Sequence, residues 1–231
     1  MKMFSTLKED LKKNYSFTIK YKNESFFMKM IGFVLFFNKA FMKDFITTIG
    51  NTIYFPSRKF IEENEISAMI TLCHELIHIK QAKKHGRVLF SLMYLFPQCL
   101  VLLSLLAFLS FVWFHFIWFL AFLIFAAPIP APFRKNFELE AYYMSLFIYY
   151  TNMKRNNLPA DEIQRNMSIW VFDLNLHNFR GSNYYFMWPF GVVKELGNKV
   201  KEIRERDISD TDETYSLMKK LYLKSVSAYE L

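Results

Sequence analysis

His74-Glu75-Leu76-Ile77-His78 is the one stretch whose residue types and spacing suit bond-making chemistry. Residues i and i+4 share a helical face, so both imidazoles reach toward a single Zn²⁺. Glu75, one residue along, falls beside such an ion rather than on it, where a carboxylate takes a proton from a metal-activated water. That arrangement needs a helix around the motif and a third ligand from elsewhere. His85 does not supply the ligand: seven residues past His78 it returns to the same face, but about 10 Å further along the axis. The downstream segment Phe137-Glu138-Leu139-Glu140-Ala141-Tyr142 offers two carboxylates on a second helix. An i, i+2 pair cannot face one ion together, so Glu138 and Glu140 are alternatives.

The paired motifs resemble the HExxH and ExxAD segments of gluzincin metallopeptidases, including the membrane-bound HtpX and CAAX prenyl protease family. The resemblance covers only about a tenth of the chain. It implies a zincin-like helical core and peptide-bond hydrolysis, with zinc held by His74, His78 and Glu138 and with Glu75 as general base. Tyr142 stands where that pattern has the Asp that orients a zinc histidine, and Glu140 remains the alternative ligand. Site-2 proteases also carry HExxH, but take an Asp ligand from within a membrane span, and the long apolar block between the two motifs contains no Asp. For an oxyanion donor the candidates are Tyr143, His177 and Arg180.

Pattern also gives the surrounding elements. Asn64 to His85 reads as a helix: Glu62, Glu63 and Glu65 suit its start, Lys80, Lys83 and Lys84 its last turn, and Gly86 a left-handed cap. Its buried stripe is Ile66, Met69, Ile70, Cys73 and Ile77. Before it, residues 1–24 read as a short helix and an extended segment. Phe26–Phe37 reads as a core or interfacial helix too short to cross a bilayer. Residues 46–56, with Gly50-Asn51 inside and Pro56 at the end, read as a strand or tight hairpin that would form the substrate-binding edge. After the motifs, residues 151–166 are polar and 168–190 are ambiguous. Residues 191–231 read as two amphipathic helices, the second opened by an Asp210-x-x-Glu213 capping box.

Between the two motifs, Val88 to Phe133 is a block of 46 residues without a formal charge. One helix of that length would reach about 69 Å, twice the hydrocarbon thickness, so two spans of some twenty residues fit better. Pro97-Gln98 would kink the first, and Ser110 is the expected reversal. His78 and Glu138 must meet, which also requires an even number of crossings. Lys80, Lys83, Lys84 and Arg87 before the block, with Arg134 and Lys135 after it, place both ends on the cytoplasmic side. His115 within the block reads as a packing residue, and Trp113, Trp118 and Trp188 as interfacial anchors.

Composition agrees: 231 residues, 53% hydrophobic and 19% aromatic, exclude a disordered chain. A net charge of +8 and a pI of about 9.3 suit anionic lipid, and no nucleic acid is expected in the absence of an RNP motif, zinc knuckle or Arg-rich tract. Cys73 and Cys99 form no disulfide framework, and the Lys-rich start is too charged for a cleavable signal peptide.

The expectation is a mainly α fold with a minor β part: an N-terminal half over 1–87, a transmembrane hairpin over 88–133, and a C-terminal half over 134–231. Its function is that of an integral-membrane zinc metallopeptidase acting on a peptide or protein, with the active site and both termini cytoplasmic. The alternative is a membrane-inserting structural or assembly protein with a non-catalytic zinc site. An oligomer or larger assembly fits either.

Overall fold

A computed structural model of the chain describes residues 2–35, 38, 40–127, 129–181, 187 and 190–229. Helix α1 (Lys2–Lys12) leads to strand β1 (Thr18–Tyr21) and helix α2 (Phe26–Val34). Strands β2 (Thr47–Ile49) and β3 (Thr52–Phe55) turn at Gly50-Asn51, where Gly50 takes φ +60°. The sheet order is β1-β3-β2, with β1 parallel and β2 antiparallel to β3, so β2 is a sheet edge. A short α3 (Arg58–Glu63) precedes the long α4 (Glu65–His85).

The expected buried stripe of α4 is only part of what is buried. From Ala68 to Ala82 nearly every side of the helix is enclosed, with Leu72, Cys73 and Leu76 at the centre of the main core. The reason is chemical: His74, Glu75, His78 and Gln81 form a polar face that looks inward rather than to water. Helices α1, α3 and α5 (Arg87–Leu95), strand β2 and helix α6 (Pro132–Arg155) pack around it. Gly86, at φ +81° and ψ 136°, turns the chain directly from α4 into α5. A Cβ disfavours that conformation.

The apolar block is divided differently from two helices of some twenty residues each. It begins as α5, bends by 94° at Phe96-Pro97, and continues as two 3₁₀ arms, Gln98–Phe111 and Phe114–Ala126, packed together as a hairpin. Proline offers no amide hydrogen to carry α5 through this point. The reversal falls at Val112-Trp113, just after Ser110. Among the described residues no single helix is long and apolar enough to cross a membrane, although α5 and the first arm pass that test as a bent pair.

Helix α6 is longer than Phe137–Tyr150. The polar stretch divides between its end and α7 (Ala160–Asp173), which runs into a π-helical turn, Leu174–Phe179. The tail forms α8 (Val192–Glu205) and α9 (Glu213–Ser227), and α9 packs on α1. The capping box expected at Asp210 is displaced. Asp212 is the N-cap, accepting from the amides of Thr214 (2.7 Å) and Tyr215 (3.3 Å), because the helix begins at Glu213 and leaves Asp210 in a preceding 3₁₀ turn. Both cysteines are free, Cys73 buried and Cys99 half-buried.

Candidate metal centre

Helix α4 presents His74 and His78 on one face, and α6 crosses that face with Glu138. All three are buried, and one ligand atom from each lies within 4.8 Å of the others. His74 Nε2 is 3.3 Å from Glu138 Oε2, and His78 Nε2 is 3.4 Å from Glu138 Oε1. The Nε2 atoms thus converge on the carboxylate while the Nδ1 atoms turn outward to other partners.

Those partners fix the rings. Ser145 donates to the Ala141 carbonyl at 3.4 Å, so its oxygen accepts from His74 Nδ1 at 3.1 Å. Gln81 donates through Nε2 to the Phe137 carbonyl (3.0 Å) and to Glu140 Oε2 (2.8 Å), which leaves its Oε1 to accept from His78 Nδ1 at 2.9 Å. An imidazole that donates from Nδ1 keeps the Nε2 lone pair for a metal. Glu140 is therefore spent on Gln81 and is exposed, whereas Glu138 faces the imidazoles. Ser145, one turn after Tyr142, holds His74, while the Tyr142 ring packs edge-on to His74 with centroids 4.6 Å apart.

Glu138 Oε2 is buried and has no hydrogen-bond partner, a costly state for a carboxylate oxygen. A cation between it and the two Nε2 atoms satisfies all three donors, and His₂Glu is a zinc donor set. Without a cation the groups compensate one another. Burial alone would lower His78, but the Glu138 carboxylate beside it outweighs this and pushes it up to about 9. Burial would raise Glu138, yet the positive charge of His78, with that of His74, holds it well below the usual carboxylate range.

Glu75 lies next to the triad, 6% exposed, and its Oε2 accepts from Thr48 Oγ1 of edge strand β2 at 2.7 Å. Its Oε1 takes no hydrogen bond among the described residues. His74 and Glu75 both line a cleft of about 890 Å³ between α4, α6, α7 and the loop before β2. On the opposite side α5 roofs the site: Tyr94 Oη donates to Glu138 Oε1, and the rings of Phe90 and Tyr94 stand beside His78.

The three sequence-based oxyanion candidates are not brought together at the cleft. Tyr143 packs under Lys199, and His177 and Arg180 are exposed on or just after the π-helical turn. Of that segment, Asn178 reaches the cleft, donating to Tyr142 Oη at 2.7 Å. His115 is exposed with its ring against Trp113, and His85 packs against Phe137. Trp188, Phe36 and Phe37 lie outside the described residues. Of the basic flank, Arg134 is buried and donates to the Tyr94 carbonyl (2.8 Å) and Gln98 Oε1 (3.2 Å), and Lys135 pairs with Glu195 at 2.9 Å. Both charges are used within the fold.

Thr48, Gln81, Tyr94 and Ser145 escape a reading of the sequence. For Gln81 and Ser145 a signal exists: they lie i+3 from His78 and i+7 from Glu138, on the ligand-bearing faces. No family model, curated protein or solved structure matches the chain.

Proposed function

We propose that this chain is a membrane-anchored, zinc-dependent metallopeptidase. The observation that carries the reading is the convergence of two Nε2 atoms and the Glu138 carboxylate beside Glu75, with His74 and Glu75 lining an open cleft. A purely structural zinc site closes all four positions with protein ligands, whereas a catalytic one has three and an approach for substrate. Zinc bound to the triad would polarise the substrate carbonyl and acidify a water. Glu75 takes the proton on Oε1, with Oε2 held by Thr48, and returns it to the leaving amine. Ser145 and Gln81 keep the imidazoles turned toward the ion, and the free edge of β2 offers backbone groups to an extended peptide.

The apolar hairpin is the membrane anchor in this reading. At about 2 Å per residue in a 3₁₀ helix, its arms reach roughly 28 and 26 Å, close to the hydrocarbon thickness of about 30 Å. Most of its large side chains face outward, as a lipid contact requires. A cytoplasmic position for the metal site and both termini is part of this reading, supported by Lys83, Lys84 and Arg87 before the block.

Metal analysis of the detergent-purified protein tests the site. One zinc per chain is expected in wild type, Glu75→Gln and Glu140→Ala, and loss of zinc in Glu138→Ala. Zinc retained by Glu138→Ala, or stoichiometric iron in place of zinc, would contradict the assignment.

A further inference from the structure

The cleft beside the metal centre carries a charge opposite to that of the whole chain. Its charged lining consists of Asp44, Glu63, Glu65, Glu75 and Asp173, and no Lys or Arg lines it among the described residues. This occurs in a protein of net charge +8. Folding explains part of the acidity: Glu65 accepts from the Phe4 amide at 2.9 Å, and Glu63 pairs with Lys59 at 3.3 Å. It does not explain Asp44 and Asp173. They come from separate elements, the loop before β2 and the end of α7. Both are exposed, and neither carboxylate has a hydrogen bond or ion pair among the described residues. A cleft walled by one sign of charge focuses its field and concentrates the opposite sign.

The apolar lining points the same way. Tyr149 and Trp170 meet edge-to-face at 4.6 Å on this wall, and Phe45 adjoins Asp44. Aromatic faces beside carboxylates suit ammonium and guanidinium groups on long apolar stems. A cleft of about 890 Å³ is at the upper end of single-ligand pockets, which fits a length of chain rather than a lone ion.

We infer that the cleft selects polypeptide segments rich in Lys and Arg, with Asp44 and Asp173 setting the preference. Cleavage of a bound segment rests on the peptidase reading; the binding itself does not.

The test uses full-length, zinc-loaded protein in detergent and three synthetic decapeptides of matched length, carrying Lys/Arg, Gln or Glu at the same positions. Fluorescence anisotropy on Glu75→Gln measures binding without turnover. The Lys/Arg peptide is expected to bind at least ten-fold tighter than the Gln peptide, the Glu peptide weakest, and the gap to shrink as salt is raised. Asp44→Asn with Asp173→Asn is expected to reduce the gap below three-fold at an unchanged melting temperature, since both side chains are exposed. Equal binding of all three peptides, or a gap that survives the double substitution, would overturn the inference. Cleavage by wild type separates the two claims. Hydrolysis indifferent to peptide charge sinks the cleft assignment and leaves the peptidase standing. Charge-selective binding with no hydrolysis of any peptide supports the cleft assignment and counts against the peptidase.

Discussion

At the scale of single residues, the site is a set of neighbours that leave each reacting atom one orientation. Thr48 is the clearest case, because its hydroxyl holds Glu75 Oε2 and ties the proposed general base to edge strand β2. Thr48→Val is expected to lower kcat about 10- to 100-fold with little change in zinc content, and Thr48→Ser to restore most of it; steady-state kinetics and metal analysis read both. Lys22 gives a pH signature independent of catalysis. It is fully buried, donates to the Phe41 carbonyl at 2.7 Å, and lies 3.9 Å over the Phe41 ring. Burial pushes its ammonium down to about 7, only partly countered by Glu75. In the unfolded chain a Lys titrates near 10.4. Between those values the unfolded state binds more protons, so stability rises with pH across that window. Urea unfolding at pH 6.5 and 9.5 is expected to show this rise, and Lys22→Met to flatten it. The residue types of the site were legible in the chain, since HExxH announces itself by spacing. Thr48 was not, because its contact with Glu75 spans 27 positions and depends on how β2 lies against α4.

At the scale of elements, α4 does two tasks that its pattern does not separate. An amphipathic helix is recognised by a polar face turned to water. Here His74, Glu75, His78 and Gln81 are polar and buried, so the pattern reveals a helix but not its central position in the core. The same confusion of polarity with exposure hides the tasks of Arg134 and Lys135, whose charges read as membrane flank and are used to fasten α5 and α8 to α6. Strands β2 and β3 were legible because Gly50-Asn51 marks a turn between β-branched runs. The tail helices were legible too, with the cap shifted two residues to Asp212. The junction of α4 and α5 is the most sensitive single point of backbone. Gly86→Ala meets open space at its Cβ, so the backbone conformation alone sets the cost. A loss of about 1–3 kcal/mol in thermal unfolding is expected. No loss would mean that α5 is free to leave α4.

At the scale of the whole molecule, a helical body with its own core carries an apolar hairpin that has no such core. Helices α1 and α9 close the body, joined by Lys224 and Asp10 at 2.6 Å, while the hairpin exposes Phe111, Trp113 and Trp118. The uncharged block was plain in the sequence. Its division was not, because apolar runs look alike whether they pack on α6, as α5 does, or mainly on each other, as the two arms do. If the arms enter lipid, acyl chains brominated near their ends are expected to quench Trp emission in reconstituted vesicles. The Trp113→Phe, Trp118→Phe double variant is expected to lose most of that quenching, and equal quenching in the variant would place the hairpin outside the bilayer. The proposed function rests on the buried triad acting with Glu75, and the most direct measurement is chelator-reversible hydrolysis of a peptide library. Wild type is expected to cleave, to stop on chelation, and to resume with one equivalent of zinc, while Glu75→Gln stays inactive though fully loaded. Zinc-loaded wild type that cleaves nothing, or cleavage that survives Glu75→Gln, would contradict it.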